Sequence, residues 1–171
     1  MMLTMLLRGC LIALCAIVLT GCKDKKKEAR RAELRELMHG NTNDPDVKAA
    51  TEKARATLPQ FLAALQKPAA NQKQFMVRKA FPTKEGKQQI LWVVDVTYDG
   101  TMLHGRLDDN TAQPGSGVSP EGKVSFPPAE IADWMFNEDG KAVGGYMLRA
   151  LKNKMTEEEW GAIMQHIQFK E

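Results

Sequence analysis

The side chains here that could do chemistry are few, and the most suggestive are an acid beside an indole, Asp133-Trp134, and a lone histidine in a strand, His104. A tryptophan next to a carboxylate, between a strand and a turn, can serve as a ligand platform with a polar anchor. Arg149, on the helical segment that follows, is a charge partner for Asp133. The same pair also reads as a core tryptophan with Asp133 capping a neighbouring turn, and that structural reading is favoured. His104 falls opposite Asp95 in the hairpin register below, where a cross-strand charge pair accounts for it. His39 and His166 have no ligand partner at helical spacing, so no metal and no cofactor is expected. Gly115 to Gly117 reads as loop and not as a nucleophile elbow. Asp139 to Gly145 lacks the spacing of a phosphate loop. Glu157-Glu158-Glu159 reads as first-turn acid complementing a helix dipole. An enzyme built on Asp133, His104 or Glu130 would need a perturbed group in a cleft; the expectation is no enzyme.

The elements that must position these groups follow from periodicity. Asp44 and Pro45 open a helix as N-cap and first residue. Val47, Ala50, Ala54, Leu58, Phe61, Leu62 and Leu65 then recur at three- and four-residue steps. Pro59 should kink or split that helix near Leu58. The period changes to two in "QFMVRKAF" and "QQILWVVDVTY". Asp99-Gly100 is a two-residue hairpin signal. Taken as the turn, it sets Val96 opposite Leu103, Val94 opposite Gly105 and Trp92 opposite Leu107, with Gly105 leaving room for the indole. A long polar loop, "DDNTAQPGSGVSPEG", leads to "KVSF" and "IADWMF", two further strands, and Asp139-Gly140 makes a second tight turn. Tyr146, Met147, Ala150 and Leu151 share a helical face. Thr156 and Glu159 form a capping box for a helix with the stripe Trp160, Ile163, Met164 and Ile167. The expected fold is α+β: a small curved antiparallel sheet of about five strands, with an N-terminal helix and two C-terminal helices.

The net charge of +3 over 171 residues is carried mostly by the stretch after Cys22. No basic face runs through the domain, which argues against nucleic acid as partner. All three cysteines, Cys10, Cys15 and Cys22, lie at the N-terminus, so the remainder has no disulfide framework. Residues 1–21 have the parts of an export signal, Arg8 followed by an uncharged apolar run. As a helix, Gly9 to Gly21 covers about 20 Å at roughly 1.5 Å per residue, short for a span. Leu19-Thr20-Gly21-Cys22 resembles the lipobox of bacterial lipoproteins. That resemblance implies cleavage before Cys22, lipidation of its sulfur and acylation of the new N-terminus, palmitate included. Two or more chains anchor stably where one does not. Lys23 in place of Asp after the cysteine favours the outer membrane. "KDKKKEARR" opposes export by the positive-inside tendency, yet suits anionic headgroups once anchored. The expected organisation is signal peptide 1–21, charged helical stalk 22–43, and α+β domain 44–171.

"ARATLPQFLAAL", "ILWVVDV", "GRLDDN", "KVSFPPAEIADWMF" and "DGKAVGGYMLRAL" together resemble the YegJ-like family, built on domain of unknown function 2314. Members of that family share a pattern like F-x-V-K, a W-V strand, G-x-L-x-N, I-x-D-W and D-G followed by G-G-Y-x-L-R, to which Phe75 to Lys79, Trp92-Val93, Gly105 to Asn110, Ile131 to Trp134 and Asp139 to Arg149 correspond here. Met147 stands where family members often carry Thr. The resemblance implies a fold, with no activity, substrate or cofactor attached. The expected function is therefore a lipid-anchored envelope protein facing the periplasm that binds a protein or envelope component. An immunity-type inhibitor of a periplasmic toxin is the alternative, and an uncharacterised enzyme the third.

Overall fold

The computed structural model describes residues 25–38, 43–83, 86–108 and 122–171. Cys22, the signal segment, His39 and the loop containing Gly115 to Gly117 lie outside the described residues. The chain divides into two compact units, Met1–Leu37 and Met38–Glu171. Residues 25–38 form helix α1, all but its last residue in the first unit; it is rich in strong helix formers, with Arg30 and Glu33 paired at 2.8 Å. Among the described residues, no helix is long and apolar enough to cross a membrane.

The second unit begins with the expected helix, split in two. Asp44 caps α2 (Pro45–Ala56), accepting from the amides of Asp46 and Val47. Pro59 has no N–H to continue the ladder and its ring crowds the preceding turn. The chain breaks at Thr57 and restarts as α3 (Leu58–Gln66). Six strands follow: β1 (Gln72–Pro82), β2 (Gln88–Tyr98), β3 (Leu103–Leu107), β4 (Lys123–Phe126), β5 (Ile131–Glu138) and β6 (Lys141–Gly144). They form one open antiparallel sheet in the order β4-β3-β2-β1-β5-β6. The sixth strand is the return of the Asp139-Gly140 turn, where both residues have positive φ, as a tight two-residue connection requires. Helix α4 (Tyr146–Ala150), a 3₁₀ turn (Leu151–Lys154) and α5 (Glu157–Met164) close the chain. The Thr156/Glu159 capping box is present at α5.

The sheet is curved. Lys79, near the end of β1, brings its ammonium within 5.6 Å of the Phe126 ring on β4, although β2 and β3 lie between those strands. One face carries Val77, Val93, Leu103, Leu107, Ile131 and Trp134 into a core with Ala54 of α2 and Phe61 of α3. Val77, Val93 and Phe61 are among the residues of that core with no exposed surface. Fully burying a side chain of this size stabilises by roughly 1.5–3 kcal/mol.

The β2–β3 hairpin differs from the simple register. Its closing loop runs from Asp99 to Met102, with the amide of Asp99 bonded to the carbonyl of Met102. Tyr98 therefore pairs with Leu103 and Thr97 with His104, and beyond a bulge at Asp95 and Val96 the strands pair Val94 with Arg106 and Val93 with Leu107. Asp95 has φ +53°, an unusual conformation for a residue with a side chain. The expected His104–Asp95 pair is replaced by two others. Asp95 accepts from Arg106 at 2.7 Å, and His104 lies 2.8 Å from Asp99. Gly105 sits across from the bulge rather than beside the Trp92 ring. A Cβ there would lie 2.6 Å from a Val93 methyl and 2.8 Å from the Val94 carbonyl oxygen.

Asp99 holds this hairpin end. One carboxylate oxygen accepts from the amides of Thr101 and Met102 and the other faces His104. The Met102 amide first, then His104 and the Thr101 amide, lower its pKa to about 2. The folded value lies below the unfolded one, so this group's stabilisation is complete above about pH 4 and is lost as pH falls toward 2. A side-chain carboxyl NMR titration should place the Asp99 midpoint near 2. His104→Ala should raise it only in part, because the larger cause is backbone.

Candidate functional site

Strand β5 is buried on both faces from Ile131 to Phe136. Successive side chains in a strand point oppositely, so Asp133 and Trp134 are neighbours in sequence but face different surroundings. Neither has exposed surface. The Trp134 indole enters the helix-covered core. It donates from Nε1 to the Ala54 carbonyl at 2.9 Å and packs among Phe61, Phe136 and the edge of Tyr146. The Asp133 carboxylate accepts three backbone N–H bonds, from Trp134 (2.8 Å), Tyr146 (3.1 Å) and Met147 (2.8 Å). It thereby holds the first turn of α4.

Gly144 and Gly145 make the link between strand and helix. Both have positive φ, +85° and +67°. The Gly144 Cα lies so near Trp134 that a Cβ would sit 2.3 Å from its carbonyl oxygen and 2.7 Å from its ring. Arg149 faces back toward the same link but not toward Asp133. Its guanidinium donates to the Gly144 carbonyl at 3.0 Å and the Lys170 carbonyl at 2.9 Å, over the ring of Phe169. This ties the C-terminal segment to the sheet, where Phe169 also bridges to Ala142.

The charge that faces Asp133 belongs to Arg78, its partner in the β1–β5 register. Arg78 is 2% exposed and lies over the Trp92 ring at 5.1 Å, a cation–π contact. Burial pulls its pKa down to about 10, with the Asp133 charge acting the other way. Burial pushes Asp133 up to about 6, against the opposing effects of the three N–H bonds and Arg78. The arrangement can fix a helix start and a sheet interior; it offers no open face to a ligand. Asp133, Trp134 and Arg149 are thus brought into one region, and each is already committed to protein groups.

A hollow of about 430 Å³ lies elsewhere in this unit, lined by Met76, Trp92, Met135, Leu148 and Ile163, with Gln74 and Asn137 adding amides. His166 lines it too. Sequence reasoning missed both this hollow and the burial of Arg78. The available signal was Met76 and Trp92 recurring on the face opposite Val77 and Val93. Among the described residues, no group of three or more His, Cys, Asp or Glu could hold a metal ion.

These features define an α+β domain whose open, curved antiparallel sheet is pinned to its helices through β5. The chain belongs to the bacterial family described as an uncharacterized protein conserved in bacteria, DUF2314, whose model matches residues 44–169. It is similar to a protein of Neisseria meningitidis serogroup B named for ankyrin repeats, 30% identical over 125 residues. That match covers 68% of this chain and spans about half of the relative's length, 48%. It is also similar to the uncharacterized protein YegJ of Escherichia coli K12, 28% identical over 125 residues, covering 72% of this chain and 78% of YegJ. No solved structure matches.

Two outcomes test this geometry. Gly144→Ala should destabilise by about 3 kcal/mol or more, adding overpacking to a strained backbone. Gly140→Ala, at φ +81° in open space, should cost only about 1 kcal/mol; chemical denaturation midpoints compare them. For Asp133 the folded pKa lies above the unfolded one, so the folded state holds the proton more tightly. Stability should then fall as pH rises from about 4 to 6. The same scan on Asp133→Asn should lose that slope.

Proposed function

We propose that the chain is a bacterial envelope lipoprotein, anchored through lipidated Cys22 and facing the periplasm from the outer membrane, whose α+β domain is a binding module. The observation that supports this reading is the hollow beside Trp92. It is concave and mainly apolar, with a few amides, the usual composition of a binding site. Met76 and Met135 give it adaptable walls, since thioether chains repack around different shapes. Two of the three candidates for catalysis named from the sequence, Asp133 and Glu130, are engaged with protein groups. Asp133 is saturated by backbone amides, and Glu130 is paired with Lys79 at 2.9 Å. The partner is a protein or envelope component, met at the membrane surface where anchoring raises its effective concentration.

Metabolic labelling with a fatty-acid analogue should mark the wild-type protein and leave Cys22→Ala unmarked. Crosslinked pull-down of the tagged full chain from membranes should then recover a partner. Met76→Lys should reduce that recovery about tenfold while leaving the circular dichroism melt in place, the size of effect expected from losing one apolar anchor. Equal recovery by Met76→Lys would remove the hollow from the reading, and an unlabelled Cys22 would remove the anchor. A secreted toxin as the captured partner would specify the module as an immunity-type inhibitor.

A further inference from the structure

Away from both the hollow and β5, three side chains form a hydrogen-bonded chain on the surface of the β3–β4 hairpin. His104 Nε2 lies 2.8 Å from Asp99 Oδ2, and His104 Nδ1 lies 2.8 Å from Ser125 Oγ. An acid, an imidazole and a hydroxyl in that order are the parts of a nucleophile relay, recognised by geometry and role and not by sequence position. The tautomer follows from the acid. An ionised carboxylate only accepts, and Asp99 is held ionised by backbone amides at the hairpin end. The proton of a neutral His104 therefore sits on Nε2. Nδ1 is left as acceptor for the Ser125 hydroxyl, the state a general base requires.

Two further features lie at the same place. The amide of Leu107 bonds the Gly122 carbonyl. By antiparallel alternation, the His104–Ser125 pair, three steps along the ladder, is a non-hydrogen-bonded pair with its side chains close together. The Ser125 N–H then points away from β3. Among the described residues, β4 has only β3 as a strand neighbour, so that N–H faces the sheet's open edge, beside its own hydroxyl. Ser125 is itself exposed, on the face opposite the buried Val124 and Phe126, so its hydroxyl is open to an approaching substrate.

We propose that Ser125 is the nucleophile of an esterase site, with His104 as general base, Asp99 as its positioning residue, and small carboxylic esters, which an exposed site admits, as substrates. Ser125 Oγ attacks the ester carbonyl carbon while its proton passes to His104 Nδ1. The Ser125 N–H donates to the oxyanion, the strategy by which backbone amides stabilise developing charge. The alcohol leaves with the proton from His104, and the acyl group stays on Ser125 as an ester. Water then attacks that ester, giving its proton to His104, and releases the acid and free Ser125. This activity goes beyond binding and departs from the expectation of no enzyme.

The test treats the full chain with a fluorophosphonate probe and maps the adduct by peptide mass spectrometry, alongside hydrolysis of p-nitrophenyl butyrate. The expected result is a single adduct on Ser125, absent in Ser125→Ala, and ester hydrolysis lost in the same variant. His104→Ala should slow labelling about 100-fold, the scale of general-base assistance. Asp99→Asn can keep the turn bonds through its amide oxygen, but presents N–H to His104 Nε2. That favours the opposite tautomer and should slow labelling comparably. Circular dichroism melts confirm that each variant is folded. Labelling spread over other residues overturns the proposal, as does hydrolysis that survives Ser125→Ala or a rate unchanged in His104→Ala. Partner recovery in the pull-down is read separately, since Ser125 does not line the hollow beside Trp92.

Discussion

A carboxylate with no solvent contact has to be satisfied by the protein, because an unpaired charge in the interior costs several kcal/mol. Asp133 meets that demand with three backbone amides and a facing guanidinium. Much of the fold follows from the bargain. Two of those amides belong to Tyr146 and Met147, so the helix after β6 must start beside β5. A helix as short as α4 has too little cooperativity to stand alone; the carboxylate at its N-terminus compensates for amides that would lack partners. With α4 fixed, Met147 and Leu151 are buried, and Arg149 is placed to hold the C-terminal segment.

The same logic explains where function can reside. The patterns that carry the family resemblance run through Ile131 to Trp134 and Asp139 to Arg149. Their distinctive residues spend their polar groups internally: Trp134 on Ala54, Asp133 on α4, Arg149 on the carbonyls of Gly144 and Lys170. Gly144 is there because Trp134 fills the space a side chain would need. A dense motif in this family is therefore the imprint of packing. Polar side chains turned to the surface lie elsewhere, among them Ser125 of β4 and His104 of β3.

Much of the fold was legible because its signals are local. The Asp44 cap, the break at Pro59, the Asp139-Gly140 turn and the Thr156/Glu159 box each depend on a few neighbouring residues, and each is where the sequence puts it. Two features were not legible. Arg78 in an alternating strand reads as solvent-facing, since only tertiary packing against Trp92 and β5 buries it. Arg149 was paired with Asp133 on sequence proximity, but the left-handed step at Gly144 and Gly145 turns α4 so that its backbone, not its arginine, meets the acid.

The hairpin at Asp99 shows how much one irregularity decides. A strict two-residue turn would set His104 against Asp95, an ordinary cross-strand charge pair. The four-residue loop moves every partner by two, which keeps each side chain on its own face while setting His104 against Thr97. The bulge at Asp95 and Val96 is a correction of one residue, leaving Val93 against Leu107 where the strict turn would set Trp92. Gly105 makes the correction feasible, because a side chain there would strike Val93 and the Val94 carbonyl. Between loop and bulge, only the segment from Thr97 to His104 keeps the full shift of two. It is there that Asp95 passes to Arg106 while His104 takes Asp99 on one side and Ser125 on the other. Bulges in sheets commonly re-aim side chains near sites of function. In this domain the bulge and the longer loop together place an acid, a base and a hydroxyl in line, an alignment that neither would produce alone.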